Sequence, residues 1–166
     1  MIAKDDLLTL MLRECDLCVH LHGKVPAGKT EFRFTPPQRN TAELLRYLSF
    51  IGIAAVQCIA ENSWAPYEAH LKGAANLAPS DFPAAMERQK AALRAQFAKL
   101  KESDLETKTF ELPWKEKASL GRSILALAYG SLVAYRMQLF LHAKASGNAA
   151  IGTSNCWGGF DMPPKA

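Results

Sequence analysis

Apolar residues recur at steps of three and four in four segments of this chain, and each segment reads as an amphipathic helix. The first runs from about Asp5 to His20, where Leu8, Met11, Leu12, Cys15, Cys18 and Val19 draw one stripe, and Gly23, Pro26 and Gly28 end it. A loop with Pro36 and Pro37 follows, since proline and the residue before it favour extended backbone. The second helix opens at Asn40, with Glu43 placed to reach back in a capping box. It continues to about Glu61 along Leu44, Leu48, Ile51, Ala55 and Ile59, with Tyr47 beside the stripe. A connection containing Trp64, Pro66, His70 and Pro79 leads to the third helix, capped by Ser80 or Asp81 with Pro83 in its first turn. Phe82, Met86, Leu93, Phe97 and Leu100 mark its inner face. Leu105 to Trp114 has some extended character but reads as a loop crossing the bundle. The fourth helix runs from about Ser119 to Ser146 and is closed by Gly147. The tail after it is too rich in glycine and proline for a helix, and Trp157 and Phe160 are expected to pack back on the bundle.

Four long amphipathic segments without a regular strand pattern predict an all-α fold, a four-helix bundle with a crossover connection and an irregular C-terminal tail. The predicted core is Leu8, Leu12, Leu44, Leu48, Ile51, Phe97, Ile124, Leu127 and Leu139. A chain of 166 residues fits one domain, residues 1–166, and can bury such a core without staples. The longest apolar stretch, Leu48 to Ile59, is interrupted by Ser49, Gly52 and Gln57, short of the roughly 18 residues a membrane span needs. The start, with Lys4, Asp5 and Asp6, is unlike a cleaved signal, so no membrane association and a cytoplasmic location are expected.

Twenty basic against 16 acidic residues leave a net charge of +4, too small and scattered for a nucleic-acid footprint, and no nucleic-acid partner is expected. The densest basic run, Arg88, Lys90, Arg94, Lys99 and Lys101, is broken by apolar residues at helical spacing and reads as a solvated face. Cys15 and Cys18 form a CxxC inside a continuous helical pattern with no second CxxC. That context favours small core residues over a redox or zinc motif.

Three stretches resemble the DinB-like (DinB/YfiT) superfamily. FTPPQRNTAELLRYLS, residues 34–49, is similar to the entry into that family's second helix, and AYRMQLFLHAKASG, residues 134–147, to the HRGQL stretch of its fourth. GTSNCWGGFDMP, residues 152–163, is similar to the end of some members. The resemblance implies a homodimer and a site of three histidines, one on the second helix and two spaced i, i+4 on the fourth. Side chains four apart share a helix face, and three protein ligands leave a position open on a divalent metal. Carried over, the three histidines fall on Tyr47, Ser131 and Tyr135. Phenols and hydroxyls are poor ligands unless deprotonated, so neither a metal nor another cofactor is expected. His20 and His22 point to different sides, and His70 is read in a loop. A rearranged site using His22 or His70 with His142 stays open at this stage.

Ser131, Tyr135, Gln138 and His142, separated by four, three and four residues, draw a polar line on an otherwise apolar helix, and Tyr47 should approach it. Such groups either form a structural hydrogen-bond network or line a cleft for a small polar ligand. Ser131 and His142 are about 16 Å apart along the axis, too far for a nucleophile and its base. The expectation is therefore a metal-free small-molecule-binding or structural homodimer. The alternative is a thiol-dependent S-transferase or isomerase with a rearranged or metal-independent site.

Overall fold

The structure is a computed structural model and describes residues 2–163. The first helix is α1 (Lys4–His22). The second is broken into α2 (Thr41–Leu48) and α3 (Ile51–Glu61), bent by 41° at the break. Then come α4 (Ala65–Ala74), α5 (Phe82–Lys99) and a single turn, α6 (Asp104–Thr107). An antiparallel hairpin of β1 (Thr109–Glu111) and β2 (Lys117–Ser119) follows, with Phe110 opposite Ala118. The last long helix, Leu120–Ala145, is composite: α7 (Leu120–Ser123), a π-helical segment (Ile124–Tyr129) and α8 (Gly130–Ala145). A π turn at Ser154–Gly158 lies in the tail.

The bundle helices are α1, α2–α3, α5 and α7–α8, as the periodicity predicts. α1 packs on α5 and α8, α2 on α8, and α3 on α5 and the π segment. By length and composition alone Leu120–Ala145 could also cross a membrane; in the fold it packs against α1, α2 and α3. One core of apolar side chains runs between these helices, with Leu44, Leu48, Ile51, Phe97, Ile124 and Leu139 all buried. Cys15 and Cys18 are fully buried in it, and burial pushes both thiols up, Cys15 to about 12. Neither is a thiolate at neutral pH.

Three predicted core residues are only half-buried. Leu8 and Leu12 flank the core while Leu7 and Met11 fill it, a rotation of the first stripe by one residue. Leu127 is displaced for a different reason. The buried positions Leu120, Ile124, Ala128, Leu132 and Arg136 step by four, which in a regular α-helix would drift about 40° per step. The wider π turn absorbs that drift, so Ala128 points inward where a 3.6-residue period selects Leu127.

Further departures have local causes. The stretch read as a crossing loop is the β1–β2 hairpin, whose Phe110 is buried and lies 5.8 Å, centroid to centroid, from Trp64. His70 lies on α4 and not in a loop; α4 buries no residue, so it carries no stripe for periodicity to detect. Lys90, read as part of a solvated face, is buried and bonded to Asp16 at 2.6 Å and Glu87 at 2.7 Å. Trp157 packs back as expected, its ring 4.8 Å from the Arg136 guanidinium, though it and Phe160 stay about half exposed; the buried anchors of the tail are Ile151, Asn155 and Cys156.

The break between α2 and α3 is closed from outside. It leaves the Leu48 carbonyl and the Ile53 amide without helical partners, and both are buried. Gln89 on α5 serves both: its amide Nε2 donates to Leu48 O at 2.9 Å, and its Oε1 accepts from Ile53 N–H at 3.1 Å. Gly52 permits this approach, since a Cβ there would stand 3.0 Å from Gln89 Oε1 and 2.9 Å from Leu132 Cδ1.

Candidate functional site

Asn40 starts α2 with both halves of a capping box. Its Oδ1 accepts from Glu43 N–H at 2.8 Å, and its own N–H donates to Glu43 Oε2 at 2.7 Å. The preceding loop folds back over this end, with Thr41 N–H donating to Phe32 O at 3.0 Å and Ala42 N–H to Thr30 O at 2.8 Å. These bonds set Arg33 and Arg39 beside the first turns of α2.

Tyr47, one turn beyond Glu43, meets Tyr135 of α8 edge to face, with ring centroids 4.8 Å apart. The Arg39 guanidinium lies 4.1 Å from the Tyr47 ring centre and 5.7 Å from that of Tyr135, a cation over two phenol faces. Burial, and then the neighbouring Tyr135, push the Tyr47 phenol well above the ordinary tyrosine range, so it stays protonated at neutral pH. Two of the three positions that resemblance assigns to histidines thus hold phenols whose rings occupy the space between the helices. Two phenols and the Ser131 hydroxyl offer no imidazole, thiolate or carboxylate, and are not a donor set for zinc or nickel. The residues present do not fit the metal.

The structure sends His142, two turns beyond Tyr135, elsewhere. It is fully buried under the loop, its Nδ1 3.0 Å from Thr41 Oγ1 and its ring edge-on to Phe32 and Phe34. Its Nε2 is buried without a hydrogen-bond partner. Ser131 and Gln138 are half-buried on α8. The other histidines are held apart. His70 Nε2 is 2.7 Å from Gln57 Oε1, the His22 ring is 5.4 Å from that of Phe82, and His20 Nε2 is 3.2 Å from Asn155 Nδ2. Among the described residues no three His, Cys, Asp or Glu side chains cluster as metal ligands.

Burial lowers the pKa of all four histidines. The unfolded chain, with histidines near 6.5, therefore takes up more protons than the folded one once the pH drops below about 6.5. The histidines' contribution to stability is complete above that pH and declines as the pH falls toward the depressed folded values. The urea midpoint should fall between about pH 7.5 and 5.5, and His142→Gln should flatten that slope. A slope unchanged in this variant would remove His142 from the account.

Tyr47 also borders a cavity of about 340 Å³ between α2, the Arg33–Arg39 loop and α4. Arg33, Arg39, Arg46 and Glu43 supply its polar wall, and Tyr47, Phe50 and Leu71 its apolar one. Ser131, Tyr135, Gln138 and His142 do not line it. A larger cavity of about 780 Å³ lies at the tail, but its polar groups already pair with one another: Lys24 with Asp161 at 2.5 Å, and Asn155 with Asp161 at 2.7 Å. The three arginines were invisible as a group in the sequence. Their only signal is that positions 33, 39 and 46 straddle a proline loop and a helix cap that fold onto each other.

The mostly helical arrangement is that of a DinB-like fold. The crystal structure of a DinB-like protein, YjoA from Bacillus subtilis, superposes with a TM-score of 0.65 at 16% sequence identity, covering 86% of this chain and 92% of that one. No family model and no curated protein matches the sequence.

Proposed function

We propose that this DinB-like helical protein is a metal-free small-molecule-binding homodimer, with the cavity beside Tyr47 as its site. The observation that supports this reading is the Tyr47–Tyr135 ring contact under Arg39. It fills the place where resemblance puts a metal and leaves an open cavity on its flank. The homodimer follows the resemblance alone, and light scattering in solution checks it.

Metal analysis tests the reading. The purified protein should carry no stoichiometric zinc or nickel. The triple variant Tyr47→His, Ser131→His, Tyr135→His should gain zinc affinity by calorimetry at neutral pH, weakening in acid as the imidazoles protonate. Tight zinc or nickel in the unmodified protein would sink the proposal. A folded triple variant that ignores both metals would count against the placement of these three residues.

A further inference from the structure

We infer that the cavity beside Tyr47 takes an organic anion: a carboxylate or phosphate head on an apolar body. This rests on the proposed use of the cavity for a small molecule.

The charge in the cavity wall is unbalanced. Arg33, Arg39 and Arg46 face a single carboxylate, Glu43, which is already engaged. Its Oε2 accepts the Asn40 amide at 2.7 Å and lies 3.5 Å from Arg33 Nη2. Among the described residues no carboxylate pairs with Arg39 or Arg46. Two guanidiniums are left over, and both are held in place. Arg46 donates from Nε to the Leu77 carbonyl at 3.1 Å, which fixes the plane of its fork and leaves the terminal nitrogens for another acceptor. Arg39 is held over the Tyr47 ring at 4.1 Å, and among the described residues its N–H groups have no hydrogen-bond acceptor. Pre-oriented forks that have lost little freedom still to lose are what bidentate recognition of a carboxylate or phosphate requires.

The opposite wall asks for a different kind of atom. Phe50 is buried and closes the floor, while Leu71 on α4 is 43% exposed at the rim, an apolar side chain facing an open cavity. A bare inorganic anion would leave this wall wet, and a neutral apolar molecule would leave the arginines without a counter-charge. An amphipathic anion satisfies both walls. The volume, about 340 Å³, is near the lower end for ligand pockets, so the body is small.

Amide-resolved NMR titration of the full chain tests this with three probes sharing one body: 4-phenylbutyrate, 4-phenylbutyl phosphate and 4-phenylbutanol. Both anions, or one of them, should shift the amides of Arg39, Arg46, Tyr47 and Leu71, binding about tenfold or more tighter than the alcohol. The tighter of the two identifies the head group. In the double variant Arg39→Met, Arg46→Met, anion affinity should fall to that of the alcohol. Should the double variant lose its dispersed spectrum, Arg39→Lys, which keeps the charge but not the fork, should still weaken the anions and leave the alcohol unchanged. An alcohol that binds at these residues as tightly as the anions would leave the cavity as a binding site and overturn the anion inference alone. Anions that shift only amides elsewhere would overturn it as well. No shift at these four amides from any probe would overturn both this inference and the proposed use of the cavity.

Discussion

Glu14→Ala is expected to cost about 3–5 kcal/mol of folding stability and to loosen the C-terminal tail. Arg136 is fully buried and Glu14 is 2% exposed, with Arg136 Nε donating to Glu14 Oε2 at 2.5 Å. The guanidinium also donates from Nη1 to the Cys156 carbonyl and lies 3.3 Å from the Cys156 sulfur, and the Trp157 ring covers it at 4.8 Å. Removing the carboxylate leaves a buried cation without a counter-charge, which the low-dielectric interior penalises heavily. Arg136→Met leaves the converse, a buried carboxylate, and should cost a similar amount. The double variant Glu14→Leu, Arg136→Met has no charge to bury and should recover most of the loss. Urea unfolding of the three variants gives the coupling, and hydrogen exchange at Asn155 and Cys156 reports on the tail. A single-variant cost below about 1 kcal/mol would mean the pair sits in water, as surface ion pairs do.

Gln89→Leu should destabilise the fold by about 1–3 kcal/mol for each of the two backbone groups it orphans. Leucine matches glutamine roughly in volume, so the loss isolates the two hydrogen bonds to Leu48 and Ile53. The amide of Ile53 should exchange faster in the variant, since nothing else in the break accepts its proton. An unchanged urea midpoint with unchanged exchange at Ile53 would show that the break needs no support from α5.

Both features were partly hidden in the sequence, for different reasons. The four bundle helices and most of the core were legible because burial on one face imposes a period, and Asn40 with Glu43 marks the start of α2. The break after Leu48 carries no proline and no helix-ending glycine; it shows only once Gln89 is seen bridging it. α4 has no buried face and the hairpin strands are three residues each, too short to display alternation. At the candidate site, Tyr47 and Tyr135 could be paired from helical spacing and resemblance, and their rings do meet. The arginine wall could not, because it depends on a loop folding back over the helix that follows it. His142 shared the helical face of Tyr135 on paper, but two turns of rise carry it under Phe32 and Phe34 instead. Nothing in the spacing around Arg136 marks it as buried, although it is fully buried in the interior.

The π segment at Ile124–Tyr129 shifts the helical phase of everything beyond it. A π turn holds about one residue more than an α turn between the same two packed ends. The two halves of Leu120–Ala145 therefore belong to different alignment frames. Any relative with a straight fourth helix must be aligned with a one-residue gap inside residues 124–129. Tyr135 and Ser131 both lie beyond it, in the one frame that the YRMQL stretch sets. Carried through ungapped from Leu120, the same comparison would arrive one position off, about 100° around the helix, and look for histidines on the wrong face.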